Sequence, residues 1–362
     1  MTLPSSSNSQ AVPLRGPVLA LDLGGTHLRT AVVDADGVVH ARRHNRTGLD
    51  TGADAVTALA IASLQASLAE YAATNPEKPI GVGISAPGPL DPALGILVDP
   101  PNLGTDFWGL ALGPRVGDAL GVPWALERDT HVAILAERAF GAARGLSDIV
   151  YMTVSTGIGG AIISDGHLIM GPDGAAGELG HLTIDMNGPL CGCGGRGHLE
   201  RMSSGSGMAR TAREALEAGE AAPELARIAA RLAPLPLEAR HVSEAAAAGD
   251  PVAQRIVDNA RRAFAAAAVS IVDIFNPQLI IVGGGIAMAW GDELLGPARE
   301  LVAATAFRAA ARRVEIVPVS LGDDVGLIGA LPLVASGIDE RPAPAQTRSS
   351  IQHPTPVAAQ SG

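Results

Sequence analysis

Two stretches of this chain, about 130 residues apart, spell out the same order of structure. Val18 to Asp22 is an aliphatic strand candidate. Gly24-Gly25-Thr26 turns it, Thr30 to Val33 resumes it, and Asp36-Gly37 turns it again. Ile149 to Val154, Ser155-Thr156-Gly157-Ile158-Gly159-Gly160, Ala161 to Ile163 and Ser164-Asp165-Gly166 repeat the sequence of events. Either copy alone reads as an ordinary hairpin. The two together predict two related domains, each presenting a Gly/Thr turn to a shared cleft.

The chain's 362 residues are enough for two sizeable cores. Those cores must be aliphatic and alanine-rich, because 47% of the residues are hydrophobic and only 3% aromatic. A formal charge of −11 argues against nucleic acid as a partner, since phosphate binding needs a basic face. The apolar helix candidates, such as Ala263 to Ile274, are too short or interrupted to span a bilayer. Met1 to Gly16 lacks the charged-then-apolar order of a signal peptide. The expectation is a cytoplasmic protein without a membrane partner. Lys78 is the sole lysine and sits in the loop Asn75 to Pro79, so no lysine can serve a P-loop. A nucleotide here would be held by backbone amides, Mg²⁺ and hydroxyls.

Pattern predicts a third strand over Val38 to His44, a helix over Ala53 to Ala73 and a buried strand over Pro79 to Ala86. Further on come a helix over Trp108 to Leu120, a strand over Val122 to Leu126 and a helix over Thr130 to Gly141. Helices follow over Ala209 to Ala233, Ser243 to Ala248 and Pro251 to Phe275, the last stopped by Asn276-Pro277. Leu279 to Val282 and Val314 to Val319 read as strands, and Val325 to Ser336 as the last helix.

Both cysteines lie in Cys191-Gly192-Cys193, flanked by His181 and His198 and bracketed by Glu178 and Glu200. Cys-x-Cys is too close for an ordinary disulfide. Buried core cysteines and unremarkable histidines are the plain alternative. Four nitrogen and sulfur ligands separated by glycines suit a tetrahedral Zn²⁺ filled by protein, hence a structural metal.

Asp22, at a strand end before Gly24-Gly25-Thr26, can hold hydrated Mg²⁺ while the glycines admit phosphate oxygens to the backbone. Gly283-Gly284-Gly285 is not the G-x-G-x-x-G fingerprint and gives a Rossmann oxidoreductase little support. Asp129 reads either as the N-cap of the helix that follows or as a cleft carboxylate able to take a proton from a substrate hydroxyl.

Taken in register, these segments resemble the ROK (repressor, open reading frame, kinase) family of sugar kinases. The resemblance rests on Asp22-Leu23-Gly24-Gly25-Thr26, Ala86-Pro87-Gly88-Pro89, Pro101-Asn102-Leu103, and Asp129 before Ala136-Glu137-x-x-Phe140-Gly141. It continues through Thr156-Gly157-x-Gly159-Gly160, Gly177-Glu178-Leu179-Gly180-His181, Cys191-x-Cys193-Gly194 and Gly322-Asp323-Asp324-x-Gly326-Leu327-Ile328-Gly329-Ala330. It implies an α/β fold of two actin-like (ribonuclease H-like) domains with an interdomain cleft. The small domain would span 18–128, joined by a C-terminal helix near 322–337. The large domain would span 129–321, with a zinc loop at 178–200. Residues 1–17 would be a flexible arm and 338–362 a disordered tail.

The resemblance also implies an ATP-dependent hexose kinase, glucokinase-like, making glucose 6-phosphate with Mg²⁺ and a structural Zn²⁺. Asp129 matches the general base. Asn102, Asp129, Glu178, His181 and Glu200 match sugar-binding positions. Gly24, Gly25, Thr26, Thr156, Gly157, Gly159, Gly284 and Gly285 match the ATP site. His181, Cys191 and Cys193 match zinc ligands, with His198 standing where a fourth cysteine is usual. Arg128 stands where a sugar-contacting asparagine is common. Pointing into the cleft it would lower the pKa of Asp129 and recast sugar recognition; turned to Glu127 or solvent it would simply lose one sugar contact. The alternatives are a kinase for fructose, N-acetylmannosamine or N-acetylglucosamine, or a non-catalytic sugar-binding regulator. The regulators of the family carry a winged-helix domain, for which the residues before Val18 are too few. A homodimer or homotetramer is implied by resemblance only.

Overall fold

The structure, a computed structural model, describes residues 16–339. The flexible arm and the tail expected at the two ends fall, apart from their innermost residues, outside the described residues.

Two five-stranded sheets of the same construction carry the chain. In the first, β1 (Val18–Leu23), β2 (His27–Val33) and β3 (Val39–Arg46) form an antiparallel meander. β4 (Val82–Ala86) pairs parallel to β1, after which come a small ribbon of β5 (Leu90–Asp91) and β6 (Ile96–Leu97) and then β7 (Trp124–Arg128). The order is β3-β2-β1-β4-β7. In the second, β8 (Ile149–Val154), β9 (Ile158–Ser164) and β10 (His167–Leu168) are the meander. β11 (Leu279–Gly283) and β12 (Glu315–Pro318) add in parallel, giving β10-β9-β8-β11-β12. The two Gly/Thr segments are therefore the β1–β2 and β8–β9 turns of a repeated sheet.

Alternation along β1 buries both of its faces. Leu19, Leu21 and Leu23 face α1 (Ala53–Ala72), while Val18 and Ala20 face the helices of the opposite layer. By length and composition α1 is apolar enough to cross a bilayer, which corrects the expectation that no helix here would be. Its Val56, Ala60 and Leu64 are instead spent on the sheet core. Ser63 and Ser67 bond the buried Thr30 hydroxyl of β2 at 2.7 and 3.2 Å.

Four helices differ from the sequence reading, one of them the helix expected over Ser243 to Ala248, which begins four residues earlier at Ala239 because Glu238 and His241 cap it. α2 is Leu112–Leu120, starting four residues late, because Thr105–Phe107 forms a separate 3₁₀ turn and Trp108 is extended. Between α3 (Asp129–Phe140) and the next helical layer lies the second sheet's meander. That layer holds α4 (Leu199–Ser203), α5 (Gly205–Glu217), α6 (Pro223–Leu232) and α7 (Ala239–Ala247). The helix expected over Ala209 to Ala233 is thus two, split ahead of Pro223, whose ring takes the first helical turn where no amide donor is needed. α8 (Pro251–Phe275), α9 (Gly285–Trp290), α10 (Asp292–Thr305) and α11 (Arg308–Ala311) complete the layer against the second sheet.

The last helix is broken into α12 (Val325–Ile328) and α13 (Ala330–Asp339) around Gly329. A Cβ there would stand 2.2 Å from the Val132 carbonyl of α3. Through Leu327, Leu331 and Val334 the chain's end packs back on the first sheet.

Gly83 of β4 has no room for a side chain, since its Cβ would lie 2.6 Å from both Cβ and O of Ala330. Gly83→Ala should therefore push α13 off the sheet and cost about 1–3 kcal/mol. A lower melting temperature and urea midpoint would register it; an unchanged melt would refute this packing.

Candidate functional site

The carboxyl-terminal ends of β1, β4, β7, β8 and β11 and the start of α3 converge on one cleft. Asp22, 8% exposed, ends β1 and pairs with Arg29 across the β1–β2 register, Nη2 to Oδ2 at 2.6 Å. Arg29 also donates to the Asp323 carbonyl at 2.6 Å. Gly326 admits the Asp22 carboxyl by lacking a Cβ, which would stand 2.8 Å from its carbon. The segment containing Asp323 and Gly326 is thus seated against Asp22.

Close approaches at glycines bring the motifs together. A Cβ on Gly25 would be 3.0 Å from the Asn102 carbonyl, so the first turn abuts the loop that carries Asn102. On Gly159 it would meet the Thr130 methyl at 2.9 Å, placing the second turn beside the start of α3. Gly284, with φ +92°, approaches the Val154 carbonyl at the end of β8. Thr26 and Thr156 are exposed at the tips of their turns. The Thr156 carbonyl accepts from Ser206 N, and Ser155 O from Gly205 N, so α5 begins against the second turn.

Asp129 is the first residue of α3, and its Oδ1 accepts from Thr130 N at 2.7 Å. Arg128, not Asp129, occupies the N-cap position. The Asp129 carboxyl is open to the cleft, yet protein surrounds it on all other sides. That desolvation pushes its pKa up to about 6, helped by the Asp22 charge and opposed by the Thr130 amide, Arg128 and His131. Arg128 acts in the lowering direction expected of it, but desolvation is larger.

Arg128 takes neither of the two orientations expected from sequence in simple form. It is buried, its guanidinium donates to Glu178 Oε1, and it reaches the Ala176 carbonyl at 2.6 Å and His131 Nε2 at 2.7 Å. His131 Nδ1 is 3.0 Å from Glu127 Oε1. Glu178 is half exposed, while Glu200 turns toward the second Gly/Thr turn and accepts from Ile158 N at 2.9 Å.

His181, Cys191, Cys193 and His198 offer four ligand atoms within 4.8 Å of one another. The two histidine Nδ1 atoms are 3.3 Å apart, and Cys193 Sγ is 3.2 Å from His198 Nδ1. Ligands on a tetrahedral Zn²⁺ stand about 3.3–3.8 Å apart, so this donor set fits such an ion. Gly195 permits the fit, because its Cβ would collide with the His198 ring at 2.2 Å.

Among the sequence-derived residues, the structure brings Gly25 to Asn102, Gly157 to Glu200 and Gly159 to the start of α3, and it groups His181, Cys191, Cys193 and His198. Arg29 and His131 are not among the residues the sequence singles out. Arg29 had a legible signal, since a hairpin through Gly24-Gly25-Thr26 pairs it with Asp22. His131 had none, because only the turn of α3 brings it back to Arg128.

Residues 18–336 match the ROK family. The chain is 34% identical over 324 residues to a glucokinase of Thermotoga maritima, covering 89% of this chain and 98% of that one. It is 33% identical to an N-acetylmannosamine kinase of Citrobacter koseri, covering 88% and 98%. Among solved structures it resembles a ROK family glucokinase from Streptomyces griseus in complex with glucose and AMPPNP. That likeness has a TM-score of 0.68, 30% identity and coverage of 88% and 99%.

Because ionised Asp129 is disfavoured in the folded state, it costs folding free energy above about pH 6, and that cost vanishes below the ordinary carboxyl value of 3.8. Asp129→Asn should melt higher than the wild type at pH 8 and level with it at pH 4. Equal melting differences at both values would show that Asp129 is not desolvated.

Proposed function

This chain belongs to the ROK family, whose two actin-like, ribonuclease H-like domains it shares, and from that premise we propose that it is an ATP-dependent hexose kinase producing glucose 6-phosphate from glucose. The observation that carries the reading is Asp129. Its carboxyl, with a pKa raised to about 6, stands where α3 begins against the second glycine turn and near enough to Asp22, at the base of the first, to feel its charge. Both turns present amides and hydroxyls suited to phosphate.

In this reading Asp129 accepts the proton as the sugar O6 attacks the γ-phosphorus, the bond to the β-bridging oxygen breaks, and ADP leaves. The ground-state pKa near 6 keeps the base mostly ionised at neutral pH while leaving it a useful proton acceptor. Gly24, Gly25 and Thr26 take one side of the phosphates and Thr156, Gly157 and Gly159 the other, with Gly284 and Gly285 beneath the adenosine. Asp22, steadied by Arg29, would hold Mg²⁺ through water, and that ion supplies charge neutralisation along the phosphates. Asn102, Glu178 and His181 orient the sugar hydroxyls. Glu200, bonded to Ile158 N, links the sugar loop to the second phosphate turn.

A kinase for N-acetylmannosamine is the second reading, favoured by the similarity to the Citrobacter koseri enzyme. An ATP-coupled assay across glucose, mannose, fructose and the N-acetylhexosamines separates the two. Absence of turnover with every sugar would sink both. Asp129→Asn should lower kcat by about 10²–10⁴ with an unchanged circular dichroism spectrum. In wild type kcat/KM should fall below about pH 6, as the base is protonated.

We further assign Zn²⁺ to the Cys₂His₂ set, in a structural role, since four protein ligands leave no position open. Its charge would favour both thiolates and brace the loop behind His181. Metal analysis should return about one zinc per chain. Cys191→Ser should lose the metal and melt at lower temperature; full zinc occupancy in that variant would remove the assignment. Light scattering decides whether the homodimer or homotetramer implied by the family forms.

A further inference from the structure

Arg128 ends β7 in the first sheet, but its guanidinium is spent on the other side of the cleft. It donates to Glu178 Oε1 and to the Ala176 carbonyl, both on the segment that packs against β9 at Gly160. Its aliphatic stem is moulded by Gly88 of the Pro-Gly-Pro turn, where a Cβ would lie 2.9 Å from Arg128 Cδ. Behind it, His131 is fully buried between Glu127 Oε1 and Arg128 Nη2. A guanidinium has no lone pair to give, so the imidazole must accept through Nε2 and donate through Nδ1 to Glu127. The chain Glu127–His131–Arg128–Glu178 is therefore directional, with Nη1 committed to Glu178 and Nη2 shared between His131 and the Ala176 carbonyl.

The consequence falls on Glu178. An unpaired carboxylate rotates freely and accepts from two hydroxyls in several geometries. The donation from Arg128 to Oε1 fixes the plane of the carboxylate, so the lone pairs left on Oε1 and Oε2 point in set directions. We propose that Arg128 is a specificity-determining positioning residue. It holds Glu178 across the cleft so that the site accepts one hydroxyl configuration on the sugar ring and discriminates against the epimer. This rests on the kinase reading above. A polar site that leaves a buried group unpaired with the wrong substrate discriminates far more strongly than an apolar one.

The test compares glucose, mannose and N-acetylmannosamine on wild type, Arg128→Gln, Arg128→Lys, Glu178→Gln and the Arg128→Gln/Glu178→Gln double variant. The wild-type preference among the three sugars should shrink about tenfold in Arg128→Gln, with the loss falling on KM more than on kcat. Arg128→Lys keeps the charge but not the fork and should be intermediate. Because Arg128 acts through Glu178, the double variant should discriminate no worse than Glu178→Gln alone.

An unchanged preference in Arg128→Gln, or additive losses in the double variant, would overturn the proposal. Calorimetric sugar affinities on the same proteins give the same ratios without turnover. Absence of catalysis with intact, Arg128-dependent binding selectivity would therefore overturn the kinase reading and leave the clasp standing. Absence of sugar binding by wild type would overturn both. Arg128→Lys carries the comparison if Arg128→Gln fails to fold, which a thermal melt reveals.

Discussion

The site depends on where α3 is wedged. Its twelve residues serve two cores at once: Val132 packs with Leu327 and Leu331 of the returning chain end, while Ala133 and Ile134 pack with Ile149 and Ile163 of the second sheet. Glu137 ties the same helix to the segment after β12. It is fully buried, with Oε1 accepting from Ser320 N and Leu321 N and Oε2 from Ala142 N and the Ser320 hydroxyl. Four donors offset the desolvation of that carboxylate, and a single missing donor would leave an expensive buried charge. The position of Asp129 at the helix start follows from this anchoring two turns away.

Around that helix the cleft is assembled by backbone approach more than by side-chain reach. Gly25, Gly159, Gly284 and Gly326 each sit where a Cβ would strike a neighbouring motif. The absence of side chains lets two turns, a third glycine corner and the chain's end crowd around Asp22 and Asp129. The same crowding has an electrostatic result. Desolvation of the Asp129 carboxyl, helped by the nearby Asp22 charge, raises its pKa. Asp22 is paired directly with Arg29.

The metal-type loop and the clasp solve a related problem at the sugar end. The loop leaves Met186 and Leu190 exposed while Leu182 and Ile184 pack on the main core, and four nitrogen and sulfur atoms converge at its tip. The Arg128–Glu178 pair joins that region to the first sheet. Breaking such a pair leaves one buried guanidinium uncompensated, whereas the intact set of contacts restricts how Glu178 can turn.

Much of this was legible in the residues. The repeated strand–turn–strand order specifies two like sheets, because period-two burial and glycine turns are local properties. α8 was legible to the residue at both ends, since Asp250-Pro251 and Asn276-Pro277 cap and stop it chemically. The metal-ligand set was legible because its members are close in sequence. The start of α2, the break before α6 and the split at Gly329 were not, because each answers to packing against distant segments. The direction of the Asp129 pKa and the partner of Arg128 were equally hidden. By itself the sequence determined which chemical groups enter the site and which turns present them. Tertiary structure alone decided how far Asp129 is desolvated and which carboxylate claims Arg128, because both depend on distances between residues 50 or more positions apart that no local propensity encodes.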